Sequence, residues 1–417
     1  MKVAYLASRY PTVSHTFIMR EVLQLRAAGL DLATMSVRRP TADDALGAQA
    51  QAEARTTRWL VPPRLGEFFF AQLWTVLTRP VLSVRTIFFA VLKSGLTLRR
   101  RFVWLCYFGE AVLLARWLVD EGFDHIHCHF GNSGSSTGML AARLARIPFS
   151  MTIHGSELLE MPKHRLPEKV AQAAFVSCVS KYGRSQLMMA CPTEDWNKLH
   201  IVRCGVPVKS DMTAKRDNAL RHVLCVARLS PEKGHLLLLE ALAILRAEGV
   251  DFHCTFVGDG PLRGQIERRL SDLRLAEWVT LTGSVEPARV DEMYQSSHVV
   301  VLASFSEGVP IVLMEAMARG LAVVATRVGG VSELVEDGAS CGLVVPPGDA
   351  EALAQALRTV LEDKELAFRL ASNGQKRVRE EFNLENSASQ LASLFRSTRR
   401  RFALESPMVK KQTSASA

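Results

Sequence analysis

Two carboxylates and two cations are the groups in this chain whose spacing most readily suggests chemistry. Glu307 and Glu315 lie in the run Ala303-Ser304-Phe305-Ser306-Glu307-Gly308-Val309-Pro310-Ile311-Val312-Leu313-Met314-Glu315. The order reads as strand, loop, helix. Pro310 suits a first helical position, where a missing N–H costs nothing, and Gly308 lets the loop approach a ligand closely. The N–H groups of the first helical turn are then open to a phosphate. Two carboxylates on different elements can accept hydrogen bonds from the hydroxyls of a ribose and a sugar ring. Arg228 and Lys233 follow the apolar run Val223 to Ala227. Cations at the C-terminal edge of a sheet stabilise charge developing on a departing diphosphate. Singly, each pattern is ordinary: an acid before a helix can cap it, an acid within one is usually solvated, and a lone basic pair is usually surface charge.

The elements that must position these groups follow from the alternation of short apolar runs with longer amphipathic stretches, the mark of βαβ units and an α/β fold. With 417 residues, 48% of them hydrophobic, the chain is too long for one ordinary core and too apolar for disorder, so two domains are expected. Strands are predicted in the first at Val3–Ala7, Leu32–Val37, His125–His129, Phe149–Ile153, Phe175–Val179 and His200–Arg203. A second series runs Val223–Ala227, Cys254–Val257, Val279–Thr282, Val299–Leu302, Val323–Ala325 and Leu343–Val345. The expected domains are 1–205 and 206–379, each Rossmann-like, then a helix at 380–400 able to return to the first domain, and a disordered tail at 401–417.

Residues 58–119 break the rhythm and read as an apolar helical insertion. Arg79, Arg85, Lys93 and Arg99-Arg100-Arg101 interrupt it before any uncharged run reaches the roughly 18 to 20 residues that span a bilayer. An in-plane amphipathic helix at a membrane surface and helices packed inside the domain both fit.

Further turns supply the same sheet edge in the second domain: Gly258-Asp259-Gly260-Pro261, then Thr282-Gly283-Ser284-Val285. In order, R-x4-K-G, G-D-G-P, T-G-x-V and S-E-G-x-P-x4-E-A-M-A-x-G resemble the family-4 glycosyltransferases, specifically over the second domain and loosely over the first. The resemblance implies the GT-B fold, two Rossmann-like domains facing across a cleft, and transfer from a nucleotide sugar with retention of anomeric configuration. It puts Arg228 and Lys233 on the donor diphosphate, Glu315 on the ribose, Glu307 on the transferred sugar, and the backbone of Gly308, Val309, Ile311 and Val312 against sugar and phosphate. Gly258 joins this donor set, and Gly283 and Val285 would lie near the base.

In the first domain the resemblance places His154, in Thr152-Ile153-His154-Gly155, beside the sugar as a catalytic residue. His127 and His129, in His125-Ile126-His127-Cys128-His129-Phe130-Gly131, share one strand face and take either a structural or an acceptor-side role. The opening Arg9-Tyr10-Pro11-Thr12-Val13-Ser14-His15-Thr16-Phe17 departs from the paired glycines commonest in the family and resembles bacterial exopolysaccharide and colanic-acid-type members. There Ser14 can cap the following helix, and His15 and Thr16 can line the acceptor side.

No D-x-D motif occurs and no third ligand accompanies His127 and His129, so neither metal nor cofactor is expected beyond the nucleotide sugar. The eight cysteines show no C-x-x-C pair and read as buried thiols in a reducing cytoplasm. The N-terminus enters an apolar run directly, so no secretion signal is expected. The net charge of +9 lacks the aromatic-interleaved pattern of an RNA-binding surface, which argues against nucleic acid. The expected partners are a nucleotide-sugar donor, a glycan or polyprenyl-linked acceptor and an anionic membrane surface, at the inner face of which a cytoplasmic enzyme would sit. Two other classes share the architecture: a nucleotide-sugar epimerase, which needs no acceptor, and a non-catalytic carbohydrate-binding protein.

Overall fold

Val3, Tyr5 and Ala7 turn to one side of the first strand and Ala4 and Leu6 to the other, and both sides are buried in apolar clusters. A strand covered on both faces belongs in a parallel sheet flanked by helices. The computed structural model describes residues 1–12, 15–41, 47–91, 97–208, 221–336 and 340–405. They divide into two units, one holding Met1–Val179, Gly183–Val202 and the segment from Ala388, the other Ser180–Tyr182 and Arg203–Ser387. Ser14 and the tail 406–417 lie outside the described residues.

The first unit contains β1 (Lys2–Arg9), β2 (Asp31–Arg38), β3 (Arg58–Val61), β4 (His125–His129), β5 (Phe149–Ile153), β6 (Phe175–Cys178) and β7 (Leu199–Ile201). They form one sheet in the order β3-β2-β1-β4-β5-β6-β7, every pairing parallel. One face is covered by the helices Leu98–Asp120 and Ser133–Ala145 through Val112, Leu114, Leu140 and Leu144. On the other face, Ile18, Val22 and Leu25 of the helix Thr16–Ala27 pack beside Leu391 and Phe395 of the helix Leu384–Glu405. The Phe395 ring lies 5.6 Å from that of Phe175.

The second unit contains β8 (His222–Val226), β9 (His253–Val257), β10 (Val279–Gly283), β11 (Val299–Leu302), β12 (Ala322–Thr326) and β13 (Leu343–Val345). Its sheet is also wholly parallel, in the order β10-β9-β8-β11-β12-β13. Strand order reverses between β1 and β4 in one unit and between β8 and β11 in the other. At such a switch point the loops leaving adjacent strands diverge and open a crevice.

Four local expectations change. The segment 58–119 is not helical from its start: Arg58–Val61 forms β3, pairing with β2 through Met35, Ser36 and Arg38 before Pro62 and Pro63 end it. Three helices follow, Leu65–Thr78, Pro80–Val91 and Leu98–Asp120. Pro310 is the N-cap, with ψ 115°, and Ile311–Ala318 is the helix, because the Pro310 carbonyl accepts from Leu313 and Met314. The stretch beginning at Glu380 is two helices, since Asn383 caps a new one by accepting from the N–H of Glu385. That helix continues to Glu405, so 401–405 belongs to it and not to a tail; Arg400, Arg401, Phe402 and Ala403 suit a helix interior.

Candidate active site

Both halves of the second unit's site stand at its switch point. The loop after β8 carries Arg228 and Lys233, and the loop after β11 carries Glu307. Gly234 has φ +64°, and a Cβ there would meet the Ala303 carbonyl at 1.9 Å, so only glycine lets the two loops come this close. Phe305 N–H donates to the Glu232 carbonyl at 2.8 Å, a second tie between them. On this footing Lys233 Nζ donates to Glu307 Oε1 at 2.7 Å, and Ser304 Oγ donates to the same oxygen at 2.7 Å. The Glu307 side chain is only 9% exposed, which makes its pairing with a cation and a hydroxyl necessary.

Arg228 is placed differently. Its side chain is 62% exposed and its Nη2 donates to Glu232 Oε1 at 3.1 Å, while Ser230 Oγ donates to that carboxylate at 2.6 Å. Glu315, one turn inside its helix, accepts from Tyr294 OH at 3.1 Å. Arg319 stacks over the Tyr294 ring at 4.8 Å and donates to the Glu315 carbonyl, which fixes the tyrosine. Gly258 N–H donates to the Gly283 carbonyl at 2.9 Å and Leu229 N–H to the Asp259 carbonyl at 3.0 Å, so the turns after β8, β9 and β10 form one edge, with Val285 just beyond. Gly308 and Val309 are buried, Ile311 and Val312 half-buried, and Gly330 N–H donates to the Gly308 carbonyl at 2.8 Å.

In the first unit His154 follows β5. Its Nε2 lies 3.0 Å from His129 Nδ1, and His129 Nε2 lies 3.3 Å from Glu21 Oε1, which also accepts from Tyr5 OH. Burial, reinforced by His129 and His15 nearby, holds His154 well below the ordinary imidazole range, so it is neutral at pH 7. Phe130 and Phe17 pack on its ring at 4.5 and 4.9 Å, and His15 lies 4.8 Å from Phe130. His15 is the residue before the helix that Thr16 opens. His127 is fully buried, with Nδ1 2.7 Å from Ser150 Oγ and Nε2 2.9 Å from Thr152 Oγ1. Of its two expected roles this geometry leaves the structural one. Among the described residues no three His, Cys, Asp or Glu side chains converge as a metal site.

Two residues that sequence did not single out hold this end of the sheet. Glu157 accepts from the N–H groups of Gly131, His154 and Gly155 at 3.1, 2.9 and 3.0 Å, locking the turn after β4 to the turn after β5. Lys169, fully buried, donates to the carbonyls of Gly131 and Asn132 and to Ser135 Oγ, and burial pushes its pKa down to about 7. A glutamate three residues after His154 is the one local signal available. Among the described residues seven cysteines are buried thiols and Cys106 is exposed.

Comparisons with known proteins agree with this arrangement. The family described as "Glycosyl transferases group 1" matches residues 213–377, and "Glycosyltransferase Family 4" matches residues 81–210. The chain is 27% identical to the amylovoran biosynthesis glycosyltransferase AmsK of Erwinia amylovora, over 94% of this chain and 99% of that one. It is 26% identical to the putative colanic acid biosynthesis glycosyltransferase WcaL of Salmonella typhimurium, with the same coverage of each chain. Among solved structures, Anabaena HepE in complex with UDP superposes with a TM-score of 0.70 at 18% identity, covering 95% of this chain and 100% of that one.

Proposed function

Because the chain belongs to the family-4 glycosyltransferases and has their GT-B fold, we propose that it moves a sugar, with retention, from a nucleotide sugar to a growing glycan or lipid-linked acceptor of a bacterial surface polysaccharide. The work is done in the cytoplasm at the inner face of the membrane. The observation that carries this reading is the Lys233–Glu307 pair at the switch point of the second unit. An ammonium and a carboxylate side by side match a donor whose diphosphate is anionic and whose sugar is rich in hydroxyls. AmsK and WcaL, which the chain matches nearly end to end, are named for amylovoran and, as a putative member, colanic acid biosynthesis, and HepE was solved with UDP.

On this reading Lys233 and Arg228 take the charge of the departing nucleoside diphosphate, without a divalent ion. Glu315, aimed by Tyr294, receives the ribose hydroxyls, and Glu307 receives hydroxyls of the sugar. The acceptor oxygen bonds to the anomeric carbon as that carbon's bond to the phosphate oxygen breaks, on the same face. The acceptor's proton leaves towards the diphosphate oxygens. His154, neutral and backed by His129, acts at the transferred sugar. A screen of nucleotide sugars for protection against thermal unfolding, followed by transfer assays with and without EDTA, tests it. Transfer that survives EDTA is expected; an isomerised donor sugar in the absence of any acceptor overturns the reading.

A further inference from the structure

On the helices Leu65–Thr78 and Pro80–Val91 the usual amphipathic order is inverted. Ala71 and Thr75 are the buried residues of the first, and Ser83, Thr86 and Ala90 of the second. The large apolar side chains point outward: Phe69, Phe70 and Leu77 are 63%, 65% and 71% exposed, Val81 and Phe88 65% and 56%. Leu65, Phe69, Leu73 and Leu77 recur every fourth residue as one stripe, and Leu98 and Phe102 extend the surface from the next helix. Thirteen of the 19 exposed large apolar residues among the described residues lie between Leu65 and Leu105, so this is a concentration and not the usual scatter. Small and hydroxylated residues against protein with large apolar ones outward is how a helix packs when its other neighbour is lipid.

Charge selects the partner. Between Phe68 and Gly109 there are six basic residues and no acidic one. Arg85, Arg99 and Arg100 are exposed beside the apolar stripes. A second copy of the chain would bring arginines against arginines, whereas an anionic leaflet offers phosphates around a hydrocarbon interior. Geometry selects the mode. The helices of 14 and 12 residues are about 21 and 18 Å long, short of the roughly 30 Å hydrocarbon core, and they meet at 110°. The helix Leu98–Asp120 is long and apolar enough to cross, with a mean hydropathy of 1.6 over 18 residues, yet Ala111–Ala115 within it are at most 1% exposed in the domain core. It cannot leave that core to span a bilayer.

We propose that the outward stripes of these two helices, with the first turns of the third, insert into a single leaflet of an anionic phospholipid membrane and lie in its plane, with Arg85, Arg99 and Arg100 at the headgroups. This deepens the membrane-side part of the function proposed above and rests on it only for the reason to be there.

The test uses the full chain and vesicles of phosphatidylcholine with and without phosphatidylglycerol, read by co-sedimentation at low salt. Wild type is expected to bind the anionic vesicles. Phe69→Ser with Phe70→Ser is expected to weaken binding by about tenfold or more. Arg85→Ser, Arg99→Ser and Arg100→Ser together are expected to weaken it on the order of a hundredfold. Circular dichroism melts confirm that each variant folds. Wild type that stays in the supernatant overturns the proposal, as does unchanged binding by the phenylalanine variant, or a vesicle-free dimer that this variant dissolves. Transfer to a water-soluble acceptor, assayed in parallel, separates the two claims. Transfer without vesicle binding removes only the docking, and vesicle binding without transfer removes only the enzymatic reading.

Discussion

The Lys233 ammonium sits 2.7 Å from a Glu307 oxygen that also receives the Ser304 hydroxyl, so one buried carboxylate is held by two donors from two different loops. The expected consequence is strong coupling. Glu307→Gln and Lys233→Met should each lower kcat by about a hundredfold or more, and the double variant should lose much less than the product of the two. A double-mutant cycle on kcat/KM measures this, and simple additivity would show that the pair does not act as a unit.

His154 lies on a different unit from the donor residues. His154→Ala should abolish transfer while leaving protection by the nucleoside diphosphate unchanged, because that ligand needs only the second unit on the proposed reading. Thermal unfolding with and without the nucleoside diphosphate of whichever donor the screen identifies provides the second measurement. Loss of protection in this variant would contradict the division of labour.

Tyr294 touches no reacting atom on the proposed reading and serves to aim Glu315. Tyr294→Phe removes the hydroxyl that reaches both Glu315 Oε2 and the Val312 carbonyl, of which the bond to Glu315 is worth ~1 kcal/mol, so donor KM should rise about fivefold with kcat nearly unchanged. A fall in kcat alone would assign Glu315 to the chemical step.

Acid should unfold the protein early. Burial pushes His125 down to about 3 and His235 down to about 4, whereas in the unfolded chain both titrate near the ordinary histidine value of 6.5. Below pH 6.5 the unfolded state therefore binds protons that the folded state refuses, and stability falls with pH. Each histidine contributes ~1.4 kcal/mol per pH unit over its window, down to about 4 for His235 and about 3 for His125. Melting temperatures should already fall from pH 8 to pH 7, where Lys169, held at about 7 by burial, takes up its proton later than in the unfolded chain, and should decline steeply below 6; His235→Phe should soften the acid decline.

Gly234→Ala places a methyl group where the Ala303 carbonyl stands, at a positive φ. It should cost ~2 kcal/mol or more in stability and separate the Lys233 and Glu307 loops, so activity should fall at temperatures where the variant is still folded. Chemical denaturation and a transfer assay on the same preparation check both halves.

The strands were legible because buried parallel strands are short continuous apolar runs ended by glycine turns, as at Val299–Leu302 and Ala322–Thr326. Arg58–Val61 was not, since an edge strand of four residues leading into two prolines carries too little pattern to stand out from the helices after it. Lys233 and Glu307 could be placed in one site from their motifs at strand ends, whereas their direct pairing appears only in the structure, where the Gly234 approach brings the two loops together. Glu157 could not, because it binds backbone N–H groups of turns that are 24 residues apart in sequence and adjacent only in the folded sheet. Tyr294 was hidden for the same reason: its hydroxyl reaches Glu315 from a helix 21 residues earlier.

The helix Leu384–Glu405 completes the first unit with residues that follow the whole second sheet in sequence. Phe395 covers Tyr5 and Phe175, so on the ribosome that part of the face stays uncovered until Phe395 has been made. At about 5–20 residues per second, the roughly 190 residues between Ile201 and Phe395 take on the order of ten to forty seconds to appear. The segment Arg203–Ser387, which holds the second unit's whole sheet, is made and can fold during that delay. The unit whose strands are made first thus matures after the other unit's strands, and a premature stop between β13 and Ala388 leaves its apolar face open to aggregation and chaperone capture.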